Sequence, residues 1–449
     1  MTSSPADGWC GGLRGWLAPP RLIAAMIWAI PLLAIFASIA NTLILGLIAA
    51  AALSHREVRA AAFRLALSPI GGAALAFLGW YLVSVAWSPL PRHGLLILVE
   101  ALLITAGGAL LTGMLAGASP PMQSRYVALV AISGAIFLVL FLLGMSACHW
   151  LPLPPSIHWG QKDELCVREA LWRSSPLLGL AALPYAVAIR HRFGWPACLI
   201  FVAVAGIGLA AHFRFAGVLS FVVALLVFGF VRALGRIVAR LVGVAIALWI
   251  LVAPSVFRAV LSAPEFQAKL PGLPESWQER VFIWTRCLEL IAENPVFGKG
   301  LGFVKFFSRV KGETVTIYRA DGPDPWLLKF TDGHSNWINL RLETGLVGAL
   351  LLAALLLAIL WWLTARGRDR LTTALGMGLM AGVAAIGTIG LNPIYDWWLT
   401  TIWSCILLIA AVTLGIRADS AAGAPALSGG YSDASRPAGT SPDRPPAAG

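Results

Sequence analysis

The chain has 449 residues, 59% of them hydrophobic and only 12% charged, with a formal net charge of +12. An apolar share well above the roughly 45–50% of soluble domains excludes an ordinary water-soluble fold. Backbone groups in lipid must be satisfied within each segment, so the chain reads as an all-α polytopic membrane protein. Arginines beside membrane spans account for the positive charge, and no nucleic-acid partner is expected.

In chain order, the expected spans are Leu22 to Ala37, Asn41 to Leu53, Ile70 to Trp87, Leu95 to Leu115, Tyr126 to Ser146 and Leu177 to Ile189. They continue with Pro196 to Ala211, Phe215 to Val231, Leu241 to Phe257, Leu346 to Leu363, Leu371 to Gly390 and Trp397 to Ile416. That gives about twelve helices, the first pair shorter than the about 20 residues that cross a hydrocarbon core. Arg14 and Arg21, then Arg56, Arg59 and Arg64, then Arg125, Arg190 and Arg192 fall at one side, followed by Arg232, Arg236, Arg240, Arg366, Arg368, Arg370 and Arg417. The positive-inside rule puts that side in the cytoplasm together with both termini. The resulting plan is a cytoplasmic N-terminus over 1–21, spans over 22–257, one large outer loop over 258–336, further spans over 337–416 and a disordered tail over 417–449.

The N-terminus lacks a cleavable signal pattern and reads as a first anchor. Of six cysteines, Cys148 and Cys166 share an outer loop where either a disulfide or two free thiols would be compatible with the sequence. No cysteine spacing resembles a metal site.

Within the large loop, Glu275 to Glu293 places Val281, Trp284, Leu288 and Ile291 at helical spacing, which predicts an amphipathic helix lying on the membrane. Asn294-Pro295 ends it, and Gly298, Gly300 and Gly302 permit an irregular turn. No strand precedes these glycines and no Lys-Ser/Thr follows, so a nucleotide loop is discounted. A stretch through Pro323 and Pro325 leads to Asp332-Gly333-His334-Ser335-Asn336 and then to a helical run expected to be uninterrupted. If that helix starts near His334, Arg341 falls on the same stripe. Pattern alone reads His334 as an interfacial residue and Arg341 as snorkelling to water. Arg214, held between two apolar helices with almost no loop, is open to snorkelling or function alike.

These residues carry a resemblance. Arg214, the segment from Arg280 and Trp284 through Asn294-Pro295-Val296-Phe297-Gly298-Lys299-Gly300, and His334-Ser335-Asn336 through Glu343-Thr344-Gly345-Leu346-Val347-Gly348 resemble the O-antigen ligase and polymerase superfamily over roughly Leu177 to Trp362. The resemblance implies a type C membrane glycosyltransferase fold in the bacterial inner membrane, with a periplasmic cavity roofed by the large loop. It implies a donor glycan on undecaprenyl diphosphate and an acceptor that is lipid A-core for a ligase or a growing glycan for a polymerase. Position by position, Arg214 and Arg280 would engage the donor diphosphate and His334 would activate the acceptor. Guanidiniums suit that role, because bidentate charge-assisted bonds stabilise a leaving diphosphate. Without an Asp-x-Asp pair in the outer loops, a metal-independent site without cofactor is expected. Arg341, Arg173 and Asp396 are secondary candidates, with solvated charge as the bland reading of Arg173. A glycan-lipid transporter would instead show internal repeats or charges within spans, and neither is evident.

Overall fold

The computed structural model describes residues 19–36, 46–47, 50, 56–147, 167–212, 215–310, 313–319, 322–328, 333–390 and 396–423. The Asn41 to Leu53 span, the Cys148 and Cys166 pair, the first residues and residues 424–449 of the expected tail lie largely or wholly outside them, whereas residues 417–423, expected to be disordered, continue the last helix, Asp396–Gly423. The elements are α1 (Pro19–Phe36), α2 (Arg56–Ala66), α3 (Pro69–Ser84), α4 (Pro91–Ala116), α5 (Pro120–Ala147), α6 (Val167–Ala211), α7 (Phe215–Leu234) and α8 (Arg236–Leu261). Then come α9 (Pro264–Lys269), α10 (Glu275–Glu293), α11 (Phe303–Val310), β1 (Glu313–Arg319), β2 (Gly322–Leu328), α12 (Asn336–Leu363), α13 (Arg370–Ile389) and α14 (Asp396–Gly423). Among the described residues, 9 helices are long and apolar enough to cross a membrane, and Pro20–Leu32 is a shorter apolar helix. The chain is thus an all-α polytopic membrane protein.

The two expected spans on either side of residue 194 are joined in α6, which breaks at Gly194 with φ 83° and ψ −177°. The rings of Tyr185 and Phe201 lie 6.4 Å apart, whereas sixteen residues of straight helix would separate them by about 24 Å. The two arms therefore fold back on each other as a helical hairpin. Starts of other helices are set by local chemistry: Ser68 accepts from Gly71 N at 3.1 Å ahead of Pro69, and Asp369 accepts from Thr372 N at 2.7 Å ahead of α13.

Two apolar cores organise the bundle. One joins α1, α4, α5, α6, α7 and α14 around Tyr126, Tyr185 and Trp398. The other joins α3, α4, α8, α12 and α13 around Tyr81, Ile250 and Met377. A third core belongs to the large loop and is built from Val281, Trp284, Leu288 and Ile291 of α10 with Val304 and Phe307 of α11. Ile338 and Leu342 of α12 complete it. The α10 boundaries are those expected from its periodicity, but its environment differs from the expectation. Its apolar face is covered by α8, α11 and α12 rather than left for lipid, and Trp284 is a core residue at 4% exposure.

Two further corrections concern backbone. The stretch carrying Pro323 and Pro325 forms an antiparallel hairpin, with Arg319 opposite Gly322 and Glu313 opposite Leu328. Prolines fit there because β2 has one partner strand among the described residues, so a missing N–H can face away from it. The α12 run, expected to be continuous, breaks at Gly345, where φ is 68° and ψ −161°. Into this break the turn after α10 inserts its own backbone. Lys299 N donates to Leu342 O at 2.7 Å, Gly300 N to Glu343 O at 2.9 Å, Leu346 N to Pro295 O at 3.0 Å and Val347 N to Val296 O at 3.2 Å. The broken helix thereby keeps its polar groups paired, which apolar surroundings require. Crossing at this distance needs glycine on both strands: a Cβ at Gly298 would stand 2.6 Å from Glu343 O, and one at Gly345 would collide with Val296 O.

Candidate functional site

At the start of α12, Ser335 is the N-cap, and His334 precedes it with φ 47°. It is the one non-glycine residue with positive φ among the described residues. Left-handed backbone costs a non-glycine residue about 1–2 kcal/mol, and such strain persists where the surroundings over-determine it. Here they do. Gly333 N donates to Asn339 Oδ1 at 3.0 Å, Ser335 Oγ donates to Gly387 O at 3.4 Å, and Trp337 Nε1 donates to Thr388 Oγ1 at 3.1 Å. Trp249 Nε1 of α8 reaches the same Thr388 Oγ1 at 3.0 Å, so one hydroxyl ties α8, α12 and α13 together. The imidazole is half-buried.

Because α12 starts at Asn336, the expected helical stripe joining His334 to Arg341 does not form; the histidine is oriented by the loop and the arginine by the helix. Arg341 is half-buried, and its Nε and Nη1 are enclosed without a hydrogen-bond partner among the described residues. Enclosed guanidinium donors left unpaired are costly and are commonly satisfied by water or an anion.

Below the break, Glu343 is 4% exposed. Its Oε1 accepts from Gly302 N at 3.1 Å and Val304 N at 3.4 Å. Trp80 Nε1 of α3 donates to Thr344 O at 2.9 Å, and Ser88 Oγ to Leu301 O at 2.6 Å. The glycine turn is therefore clamped between α12 and the connection from α3 to α4.

Arg280 is half-buried on α10, with Nη1 donating to Ser276 O at 2.7 Å and its guanidinium 5.7 Å from the Trp277 ring centroid. That indole in turn meets the Phe215 ring at 6.5 Å. Phe215 opens α7 and directly follows Arg214, which lies outside the described residues. The start of α7 is thus brought beside the Arg280 turn. Arg173 lies over the Trp397 ring at 5.8 Å, within cation–π range. Two residues further along α6, Ser175 packs against Gly217 of α7, where a Cβ would stand 3.1 Å from the serine. Asp396 is the first residue of α14, next to Trp397.

The starts of α6, α7, α12 and α14 and the large loop therefore share one end of the bundle, and that end gathers Arg173, Arg280, His334 and Arg341. Chemically, the set offers guanidiniums for a polyanion and an imidazole for proton transfer. No group of three His, Cys, Asp or Glu that could hold a metal occurs among the described residues. A groove of about 370 Å³ between α8 and α10 is lined by Arg258, Thr285, Leu288 and Glu289, and not by Arg280 or His334. Sequence reasoning assigned no role to Glu343, Asn339 or Thr388. An acid inside an otherwise apolar helix was the available signal for Glu343; the pairings of Asn339 and Thr388 have no local signature.

Comparison with known proteins yields a match between residues 198–353 and the family model described as O-Antigen ligase. A search of curated proteins gives no match. The matched span runs from the second arm of α6 to the middle of α12 and contains Arg214, Arg280, His334, Arg341 and the Gly298–Gly345 crossing, while Arg173 and Asp396 fall outside it. Over residues 198–353 the chain is thus similar to the O-antigen ligase family.

Proposed function

We propose that the protein transfers a glycan from undecaprenyl diphosphate to a hydroxyl acceptor at the periplasmic face of the inner membrane, as an O-antigen ligase acting on lipid A-core. The observation that carries this reading is the strained His334 at the mouth of α12, at the same end as Arg280 and Arg341 and inside the matched segment. In this reaction the acceptor oxygen attacks the anomeric carbon, the bond from that carbon to the diphosphate oxygen breaks, and the hydroxyl proton passes to the His334 imidazole. Direct attack inverts the anomeric centre. Arg280, with Arg214, binds the diphosphate as negative charge grows on it, and pre-positioned cations at such a place are often the largest part of catalysis. Arg341 carries enclosed N–H groups suited to a further phosphate oxygen.

The test is gene deletion followed by gel analysis of surface polysaccharide. Long chains that are made but not attached to lipid A-core are expected. Single repeat units on the core would instead identify a polymerase, in which the growing glycan is the acceptor. Loss of all periplasmic glycan-lipid with normal synthesis inside the cell would identify a transporter.

A further inference from the structure

At the end of the bundle opposite His334, a concavity of about 250 Å³ opens between the α7–α8 and α12–α13 connections, lined by Val231, Gly235, Arg236, Arg368, Arg370 and Thr373. Three guanidiniums converge on it, and neutral groups of the protein hold them in place. Arg236 Nη2 donates to Arg368 O at 3.1 Å, Arg370 Nη2 donates to Ala233 O at 2.6 Å, and Arg368 lies over the Trp362 ring at 3.9 Å. None of the three is ion-paired with a carboxylate among the described residues. The acid nearest in sequence, Asp369, is already committed: it caps Thr372 N at 2.7 Å and pairs with Arg417.

The N-terminus of α8 adds partial positive charge, since Gly235 caps it without a side-chain hydrogen bond. Burial, and after it the neighbouring Arg417, disfavours the charged form of Arg368, which stays charged because guanidinium does not deprotonate in proteins. A bound anion offsets that penalty.

The flanks of the cleft say which anion fits. Leu234 and Ile237, on either side of Gly235-Arg236, are exposed at 63% and 72%, and Trp361 and Trp362 turn outward at 76% and 41%. Apolar side chains facing lipid, with tryptophans beside arginines, are the pattern of a membrane–water interface. Free phosphate would use the arginines and leave this rim idle, whereas a lipid uses both.

We infer that the Arg236–Arg368–Arg370 cleft binds the phosphate of an anionic phospholipid, whose acyl chains lie along Leu234 and Ile237. Basic pockets between membrane helices recognise lipid headgroups in this way. The site is separate from the His334 end and does not depend on the glycosyl-transfer reading.

Full-length protein, purified and stripped of lipid in detergent, is titrated with phosphatidylglycerol, phosphatidylcholine or inorganic phosphate. The thermal-unfolding midpoint and the lipid retained in native mass spectrometry are read. Phosphatidylglycerol is expected to raise the midpoint saturably, at concentrations where the other two do not. Arg368→Gln is expected to weaken half-saturation roughly fivefold or more, the scale of one basic residue at an anionic membrane surface. The guanidinium of Arg368 donates no hydrogen bond among the described residues, so this change removes none of the bonds seen in the fold. Arg56→Gln with Arg64→Gln, on α2 at the same end, is the control and should leave binding unchanged. If Arg368→Gln lowers the yield, Arg368→Lys, which keeps the charge, should retain phosphatidylglycerol; its failure to do so overturns the proposal. Equal binding of phosphatidylcholine, an equal shift from phosphate alone, wild-type affinity in Arg368→Gln, or equal weakening in the control also overturns it.

Discussion

His334 combines two properties that can be separated by substitution, its imidazole and its left-handed backbone. Asparagine tolerates that backbone far better than most residues. His334→Asn is therefore expected to accumulate and unfold like the wild type while losing glycan transfer in isolated membranes; full transfer would remove the proposed base. Arg280→Ala should likewise abolish transfer with normal expression, and EDTA should leave wild-type activity unchanged. Glu343 gives a stability prediction instead. Glutamine retains an oxygen for Gly302 N and Val304 N, whereas leucine leaves both donors buried and unpaired, at about 1–3 kcal/mol for each such group. Glu343→Leu should lower the unfolding midpoint in detergent clearly more than Glu343→Gln. Of these residues, His334 and Arg280 were legible through the motif that contains them. The strain at His334 was not, because φ at one position depends on where the following helix begins, and sequence alone placed that start two residues too early.

Among the elements, apolar periodicity made α10 readable to its ends, since burial of Val281, Trp284, Leu288 and Ile291 requires the same spacing whether lipid or protein covers them. For the same reason, periodicity could not tell which of the two does. The β1–β2 hairpin was hidden by Pro323 and Pro325, although alternation of Thr314 and Thr316 with Val315 and Ile317 was present. The break at Gly345 was masked by the leucine-rich run around it. Its partner in space, Gly298, is 47 residues earlier, and only their contact explains both. Gly345→Ala adds a left-handed alanine and a backbone collision. The expected loss is about 3 kcal/mol or more, seen as failure to accumulate in membranes or as a sharply lower unfolding midpoint.

For the whole molecule, the structure separates two basic ends. One gathers Arg173, Arg280 and Arg341 with His334; the other gathers Arg190, Arg192, Arg236, Arg368 and Arg370, where His191 and Asp419 pair at 2.7 Å. Arginine spacing along the chain predicted this division, because alternate connections must lie on opposite sides of a bilayer. Which end faces the periplasm can be read by labelling intact cells with a membrane-impermeant thiol reagent, in a background without native cysteines. Thr316→Cys on β1 should react and Arg366→Cys, between α12 and α13, should react only after permeabilisation; the reverse pattern would invert the assignment.

The break at Gly345 also redraws the unit that could be exchanged between related chains. Residues 336–344 are continuous in sequence with a membrane helix, yet Ile338 and Leu342 belong to the core of the loop while Trp337 and Leu340 belong to that of the bundle. A graft cut at His334 would leave Ile338 and Leu342 of the loop's core behind, with the Asn294–Gly300 turn facing a foreign helix. A graft carried through to Gly345 takes the imidazole, its supporting Asn339 and both sides of the glycine crossing as one piece. Acceptor preference, if it resides in the loop, should travel with the longer segment and be lost with the shorter.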